Sequence, residues 1–239
     1  MTLARLASFV HKWLALIVGI QIMFWAVSGL FFTIFPIEQI RSEHLIRPAQ
    51  VAAPNLAALG DLNTIRDEQG RAPVKLTIER RASGDMIVAE FPEAPPALFE
   101  AGTLQRLSPL DEAMATRIAR AHITLAAAPQ SAELVTTESA EYRGALPAWR
   151  LNFTDGGLSV YVAANTGAVT ARRSDLWRLY DTLWALHIMD WRNHEDFNHP
   201  LIVIVSWLTL LSIIAGLVLI PYRIRFRRQG KGGAPPASS

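Results

Sequence analysis

Trp13–Phe35 has the sequence WLALIVGIQIMFWAVSGLFFTIF, and Leu201–Ile220 has the sequence LIVIVSWLTLLSIIAGLVLI. The two stretches are 23 and 20 residues long, and neither contains a charged side chain. As α-helices they would measure about 35 and about 30 Å, enough to cross a hydrocarbon core roughly 30 Å thick. We therefore predict two transmembrane helices. The first is predicted to be an uncleaved signal anchor, because Pro36 and Glu38 follow it instead of a small-residue cleavage site.

The overall composition agrees with a membrane protein. The 239 residues are 51% hydrophobic and only 18% charged, whereas a soluble domain carries about 25% charged residues. The chain contains no cysteine. Disulfides, iron–sulfur clusters, thiolate zinc sites and thioether-linked haem are therefore excluded, and histidine is left as the side chain that could anchor a redox metal.

Charge is divided sharply along the chain. All 21 acidic residues lie between Glu38 and Asp196, whereas the flanking tails hold seven of the 23 basic residues. The positive-inside rule then places both termini in the cytoplasm and the central region in the periplasm of a bacterial inner membrane. We interpret the basic tail as a topology signal that meets lipid headgroups, so a lipid bilayer is a predicted partner and nucleic acid is not.

The region between the spans predicts an α+β fold made of two similar units. Each unit is a helix followed by a three-stranded antiparallel meander, so that the helix can cover one face of its sheet. Alternating apolar residues and turn signals define these elements. They are a helix over 55–68 with strands over 74–79, 86–91 and 97–107, then a helix over 110–122 with strands over 133–137, 148–153 and 159–163, followed by 169–172.

An aromatic helix is predicted before the second span, over Asp175–Trp191. At 100° per residue, one narrow stripe collects Trp177, Tyr180, Trp184, His187 and Trp191. One interpretation is an interfacial helix, because Trp and Tyr collect at membrane surfaces. The other is a flat, apolar wall with one imidazole, which suits a porphyrin or a quinone. Both interpretations stay open.

Residues 187–199 hold three histidines and three carboxylates. His194 and His199 are five residues apart, so they do not form the H-E-x-x-H helix of zinc hydrolases. A loop-built divalent-metal site using His187, Asp190, His194 and His199 is one hypothesis. A solvated polar cluster ahead of a helix that starts at Pro200 is the alternative.

Small and polar residues share faces within the predicted spans. In the first span Gln21, Trp25, Ser28 and Gly29 share a helical face with His11. In the second, Ser206, Thr209, Ser212 and Gly216 share one with His199. Such faces favour helix–helix contact in lipid.

The sequence therefore predicts seven consecutive regions. They are a cytoplasmic tail over 1–12, a transmembrane helix over 13–35, periplasmic units over 36–107 and 108–174, the aromatic helix with its His- and acid-rich loop over 175–199, a transmembrane helix over 200–222 and a basic tail over 223–239.

Several of these stretches resemble a known family, the PepSY-associated transmembrane proteins. His11-Lys-Trp-Leu14 with Ser28-Gly-Leu30 looks like the family's first helix, and 36–45 looks like the segment that follows it in a short, two-span branch. Leu186–Asp190, Asp196–Leu201 and the Gly216-Leu-Val-Leu stretch look like its last helix. The predicted units are similar to PepSY modules, with 158–169 the better match and the first unit degraded.

The resemblance implies two functions. Larger, four-span relatives include haem-containing membrane reductases of ferric siderophores, and by that likeness His11 and His187 are the haem-ligand positions, with His199 as a further candidate. A two-span chain would then carry haem b in a homodimer or with a membrane partner subunit, as a component of a haem-dependent ferric reductase. PepSY domains are also associated with inhibiting or chaperoning peptidases, which implies a non-enzymatic accessory module.

Overall fold

The computed structural model describes residues 3–48, 52–82 and 84–223. Its α-helices are α1 (Leu3–Ile34), α2 (Ile37–Ile40), α3 (Glu112–His122), α4 (Asp175–Ile188) and α5 (Pro200–Arg223). Its strands are β1 (Lys75–Arg81), β2 (Gly84–Phe91), β3 (Ala94–Glu100), β4 (Ser131–Val135), β5 (Ala148–Asn152), β6 (Ser159–Ala163) and β7 (Val169–Arg173). The predicted basic tail beyond Arg223 lies outside the described residues.

Helices α1 and α5 are the two predicted membrane spans. Only 17% of the residues in the most apolar window of each helix are buried inside the chain, so neither is the core helix of a soluble domain. The two helices pack against each other along much of their length. Helix α1 begins at Leu3, so the segment predicted as a separate tail over 1–12 continues the first helix from that residue.

The central region is a module of two antiparallel sheets joined by α3. One sheet has the order β1-β2-β3 and the other the order β4-β5-β6-β7. One apolar core includes side chains from both sheets, from α3 and from the residue that follows α3: Met86, Leu98, Ala115, Ala119, Ile123, Leu151, Val160 and Val162. The α+β membrane fold is therefore confirmed, but the two sheets share one helix and this core. The first sheet also has an apolar cluster of its own, which includes Ile87, Phe91 and Phe99.

The helix predicted over 55–68 is wrong. Two short 3₁₀ turns, Leu56–Ala58 and Leu62–Thr64, occupy this segment instead. The side chains of Asn55 and Asp61 each accept a backbone N–H two residues further on. Such local hydrogen bonds compete with the helix pattern, and this is why residues 55–68 form 3₁₀ turns and not the predicted α-helix.

The second sheet has four strands, where the prediction counted three. Residues 169–172, expected only as an extended continuation, form β7 and pair with β6. Strand β6 is fully buried along its length. Because both neighbours of β6 must satisfy its backbone groups, β7 is a full member of the sheet.

Helix α4 ends before the predicted residue Trp191. Its last residue is Ile188, and Met189 takes a left-handed conformation with φ of 59°. The Asp190 carboxylate then accepts backbone N–H groups from four residues that follow it: Arg192, Asn193, Glu195 and Asp196. This carboxylate therefore folds the chain into a loop, and Trp191 leaves the aromatic stripe.

Contacts at both ends of the module attach it to the segments that enter and leave it. After α2, Ile46 forms a β-bridge with Ile123, and the Arg47 guanidinium donates to the Ile123 carbonyl. At the start of α4, the Arg178 guanidinium donates to the Gly157 carbonyl at 2.7 Å. The segment that follows α2 and the start of α4 are therefore both fixed to the module.

Candidate functional site

The candidate site is the break between α4 and α5, residues 189–199, which we call the helix break. Helix α1, which is continuous over Leu3–Ile34, packs beside it. Near the N-terminal end of α1, His11 contacts α5 at Ser212, with Nδ1 2.8 Å from the Ser212 carbonyl oxygen. Further along α1, Trp25 and Ser28 contact the last turn of α4 at His187. The helix break therefore lies beside the middle of α1.

His187 is held by a two-step hydrogen-bond chain. Its Nδ1 lies 2.7 Å from the Ser28 hydroxyl, which lies 2.6 Å from the Phe24 carbonyl oxygen. A hydroxyl has one proton to donate, and the carbonyl can only accept it. When Ser28 donates to the Phe24 carbonyl, its oxygen is free to accept the Nδ1 proton of His187. In that tautomer the Nε2 atom of the neutral imidazole carries no proton.

The C-terminal end of α4 is capped by two side chains of α1 and by His199, the residue that precedes α5. Gln21 Nε2 donates to the Leu186 carbonyl at 2.9 Å, and Trp25 Nε1 donates to the His187 carbonyl at 2.7 Å. His199 Nε2 donates to the Ile188 carbonyl at 2.9 Å. Carbonyls in the last turn of a helix have no partner within that helix. Gln21 and Trp25, which were predicted only as part of a packing face on α1, thus satisfy two carbonyls in the last turn of α4.

His11 and His199 follow the same rule as His187. Each has one ring nitrogen against a backbone carbonyl, and that nitrogen donates its proton to the carbonyl oxygen. The structure brings His187 and His199 to the helix break. His11 is 17 residues before Ser28, about 25 Å along α1, so it lies far from His187.

Part of the predicted aromatic stripe faces α1. The rings of Tyr180, Trp184 and His187 follow one another with nearly parallel planes, at centroid distances of 6.5 and 6.1 Å. Phe32 of α1 contacts all three rings, at centroid distances of 5.0, 6.3 and 5.8 Å. These rings therefore pack α4 onto α1, a contact that the sequence did not reveal.

The ends of the predicted stripe have other surroundings. The Arg173 guanidinium, at the end of β7, lies 4.0 Å from the centre of the Trp177 ring in a cation–π contact. Trp191 lies in the helix break and is 59% exposed. Neither ring continues the flat surface formed by Tyr180, Trp184 and His187.

The four residues predicted to bind a divalent metal have separate partners. His194 Nδ1 lies 2.6 Å from an Asp181 carboxylate oxygen. His187 and His199 have the partners given above, and four backbone N–H groups hold the pKa of Asp190 well below its usual range. No group of three or more His, Asp or Glu side chains that could hold a metal ion occurs in the described part of the chain. The predicted four-residue site is therefore not assembled in this structure.

A polar pocket of about 130 Å³ lies between the helix break and the module and is lined by residues of both. Its charged lining residues are Glu141, Arg143, Arg173, Asp181, His194 and Glu195. Arg143 pairs with the Glu195 carboxylate and donates to the Asn193 carbonyl. Arg143 and Asp181 therefore hold the loop. The role of Arg143 was not predicted because it is far from the loop in sequence, and that of Asp181 because its side chain lies beside the aromatic stripe of α4 and was not counted with the loop.

The outer side of α5 carries an apolar groove of about 320 Å³. It is lined by Phe197, Ile202, Val203, Ser206, Trp207 and Leu210. Ser206 therefore faces outward, whereas Thr209 and Ser212 are buried as the predicted packing face requires.

Comparison with known proteins agrees with this architecture. A family model described as PepSY-associated TM region matches residues 9–235, which include both spans, the module and the helix break. Neither a curated protein nor a solved structure matches the chain. Because the family model covers nearly the whole sequence, the chain belongs to the family of PepSY-associated transmembrane proteins.

Proposed function

We propose that this protein is an inner-membrane component of an iron- or haem-linked electron-transfer system, with His187 as an axial ligand of haem b. The observation that carries the proposal is the hydrogen-bond chain from His187 through Ser28 to the Phe24 carbonyl. Metal-ligating histidines almost always donate their second ring N–H to a fixed acceptor, which sets the tautomer and the ring orientation. Ser28 is such an acceptor, and Nε2 of His187 is left in the state that an iron ligand requires.

Two imidazoles for one iron are available only if a second chain takes part. His11 and His187 lie too far apart to share one iron, and each supplies one imidazole. A homodimer or a partner subunit would provide the remaining helices and ligands, with His199 available at the same break. When bound, haem supplies one-electron transfer. A ferric siderophore is the class of acceptor that we propose.

The charge distribution supports an orientation for this function. The basic tails and the acidic middle of the chain favour cytoplasmic termini and a periplasmic module. A ferric complex would then be met on the periplasmic side, where the helix break and its polar pocket adjoin the module.

A visible absorption spectrum tests the proposal directly. The protein should be expressed with ample haem, extracted in detergent and reduced with dithionite. We expect a Soret band and a reducible α-band in the wild type, their loss in His187→Ala, and their retention in His44→Ala, which changes an exposed histidine of the same chain. A colourless wild type refutes haem binding, and a coloured His187→Ala variant refutes the ligand assignment.

A second function, a non-enzymatic accessory module that regulates a membrane or periplasmic partner, is favoured by Phe32. That side chain packs against the rings of Tyr180, Trp184 and His187, so the flat surface expected to border a cofactor already serves helix packing. A stoichiometric partner that copurifies with a haem-free protein would support this function. Reduction of a ferric complex by the purified protein alone would exclude it.

A further inference from the structure

The depth of α4 relative to the two spans follows from their contacts. His11 lies level with Ser212, and Pro200 precedes Ser212 by 12 residues, about 18 Å along α5. The same distance along α1 leads from His11 to about Met23. Helix α5 therefore begins near the middle of α1, and the last ten or so residues of α1 extend beyond it towards the module.

This extension of α1 keeps an apolar surface. Val27, Leu30 and Ile34 are 52%, 62% and 58% exposed. Three large apolar side chains in one short helical segment need an apolar solvent, which is lipid for a chain of this family. Helix α4 packs beside the same segment through Phe32, so it lies at the same depth.

The capping of α4 gives independent evidence of its depth. In water, the last carbonyls of a helix are satisfied by solvent. In hydrocarbon, each unpaired carbonyl costs several kcal/mol, so protein groups must supply the donors. Gln21 and Trp25 of α1 supply two of them here, and His199, the residue before α5, supplies the third.

The surface of α4 and the helix break that faces away from α1 and the module is also apolar in part. Leu179, Trp191 and Phe197 are 50%, 59% and 59% exposed. Two charged residues of the loop have protein partners, since Glu195 pairs with Arg143 and His194 with Asp181. Arg192 and Asp196 are exposed beside Trp191 and Phe197, which is the arrangement expected at a headgroup boundary. Phe197 also lines the apolar groove of α5, so this surface continues the lipid-facing side of that span.

We propose that α4 is a half-inserted membrane helix. Its last turn lies within the leaflet on the module's side, and Leu179, Trp191 and Phe197 contact acyl chains and the headgroup boundary. The chain therefore has a third membrane-embedded segment besides its two spans. This assignment rests on the membrane family and on the contacts of α4, and it holds whether or not haem binds.

Site-directed spin labelling tests this depth, because the chain contains no cysteine to remove. Nitroxides would be placed by Leu179→Cys, Trp191→Cys and Phe197→Cys in the full chain, reconstituted in phospholipid nanodiscs. Trp207→Cys, 62% exposed on α5, is the lipid control, and Leu134→Cys, 46% exposed on β4, is the aqueous control. Collision rates with oxygen, which partitions into lipid, and with a water-soluble nickel chelate would be compared.

We expect the oxygen-to-nickel ratio at the three test positions to approach that of position 207 and to exceed that of position 134 several-fold. Ratios equal to that of position 134 would overturn the proposal. Protection from both reagents would also overturn it, because a protein surface would then cover the patch. If a cysteine variant fails to fold, tryptophan fluorescence in lipids with brominated acyl chains provides a second readout. Bromine should quench more fluorescence in the wild type than in Trp191→Phe, because Trp191 would contact the acyl chains. Equal quenching in the two proteins would count against insertion.

Discussion

Replacing Gln21 by leucine should loosen α4 from α1. Gln21 Nε2 donates to the Leu186 carbonyl at 2.9 Å, and the end of α4 two residues later leaves that carbonyl without a partner in its own helix. Leucine fills a similar volume but cannot donate. Loss of one such bond between helices in a membrane costs about 0.6–1.7 kcal/mol, and an unsatisfied buried carbonyl costs about 1–3 kcal/mol. We therefore expect a loss of about 1–2 kcal/mol, a factor of about 5–30 in the equilibrium between docked and undocked α4.

Hydrogen exchange of the backbone amides measures this equilibrium locally. In Gln21→Leu, the amides of α4 should exchange about 5–30 times faster, while those of α3 in the module keep their rates. Gln39→Leu, which makes the same change at an exposed glutamine, is the matched control. If α4 exchanges at the same rate in both variants, the side-chain cap contributes nothing and the reasoning about buried carbonyls is refuted.

Three further predictions concern the ligand histidine, the acidity of the medium and the core. Ser28→Ala should weaken haem binding about 10–100-fold in a haem titration, because Nδ1 of His187 loses its hydrogen-bond partner. Ser206→Ala is the control and should leave the affinity unchanged. Equal affinities of the two variants would argue against His187 as the ligand. Burial lowers the pKa of His122 from its ordinary value of 6.5, helped by the nearby Arg172 guanidinium. The unfolded chain then binds more protons than the folded one below about pH 6.5, so the free energy of unfolding should fall as the pH drops through that region, and His122→Gln should remove the fall in pH-dependent melting. Leu151→Ala should cost about 2–5 kcal/mol in chemical unfolding, because Leu151 is fully buried in the shared core, and a small effect would mean that the core repacks.

The spans and most strands could be predicted because their patterns are local. An uncharged run of 23 residues allows few structures other than a membrane helix, and α1 and α5 confirm both predictions. The predicted strand over 159–163 coincides with β6, since apolar residues bounded by glycine turns identify a buried strand. The helix over 55–68 failed because side-chain hydrogen bonds of Asn55 and Asp61 outweighed its apolar spacing.

The candidate site was predictable in its residue types and not in its contacts. His187 and the aromatic stripe stand out in the sequence, but the partner of His187, Ser28, is 159 residues away. The predicted metal cluster gathered four residues by proximity along the chain, whereas the fold gives each of them a different partner. Proximity in sequence says little about side-chain direction once a helix ends, as α4 does at Ile188.

The sequence by itself determined that this chain is a membrane protein with an α+β module between two spans, that cysteine chemistry is absent, and that histidines border the spans. Hydrophobic length, charge segregation and composition act locally, so they can be read without a fold. Only the tertiary structure decided that α4 ends beside the middle of α1, that Gln21, Trp25 and His199 cap it, and that the Ser28 hydroxyl meets Nδ1 of His187. These features depend on the relative depth of three helices, which is set by packing between residues far apart in the chain.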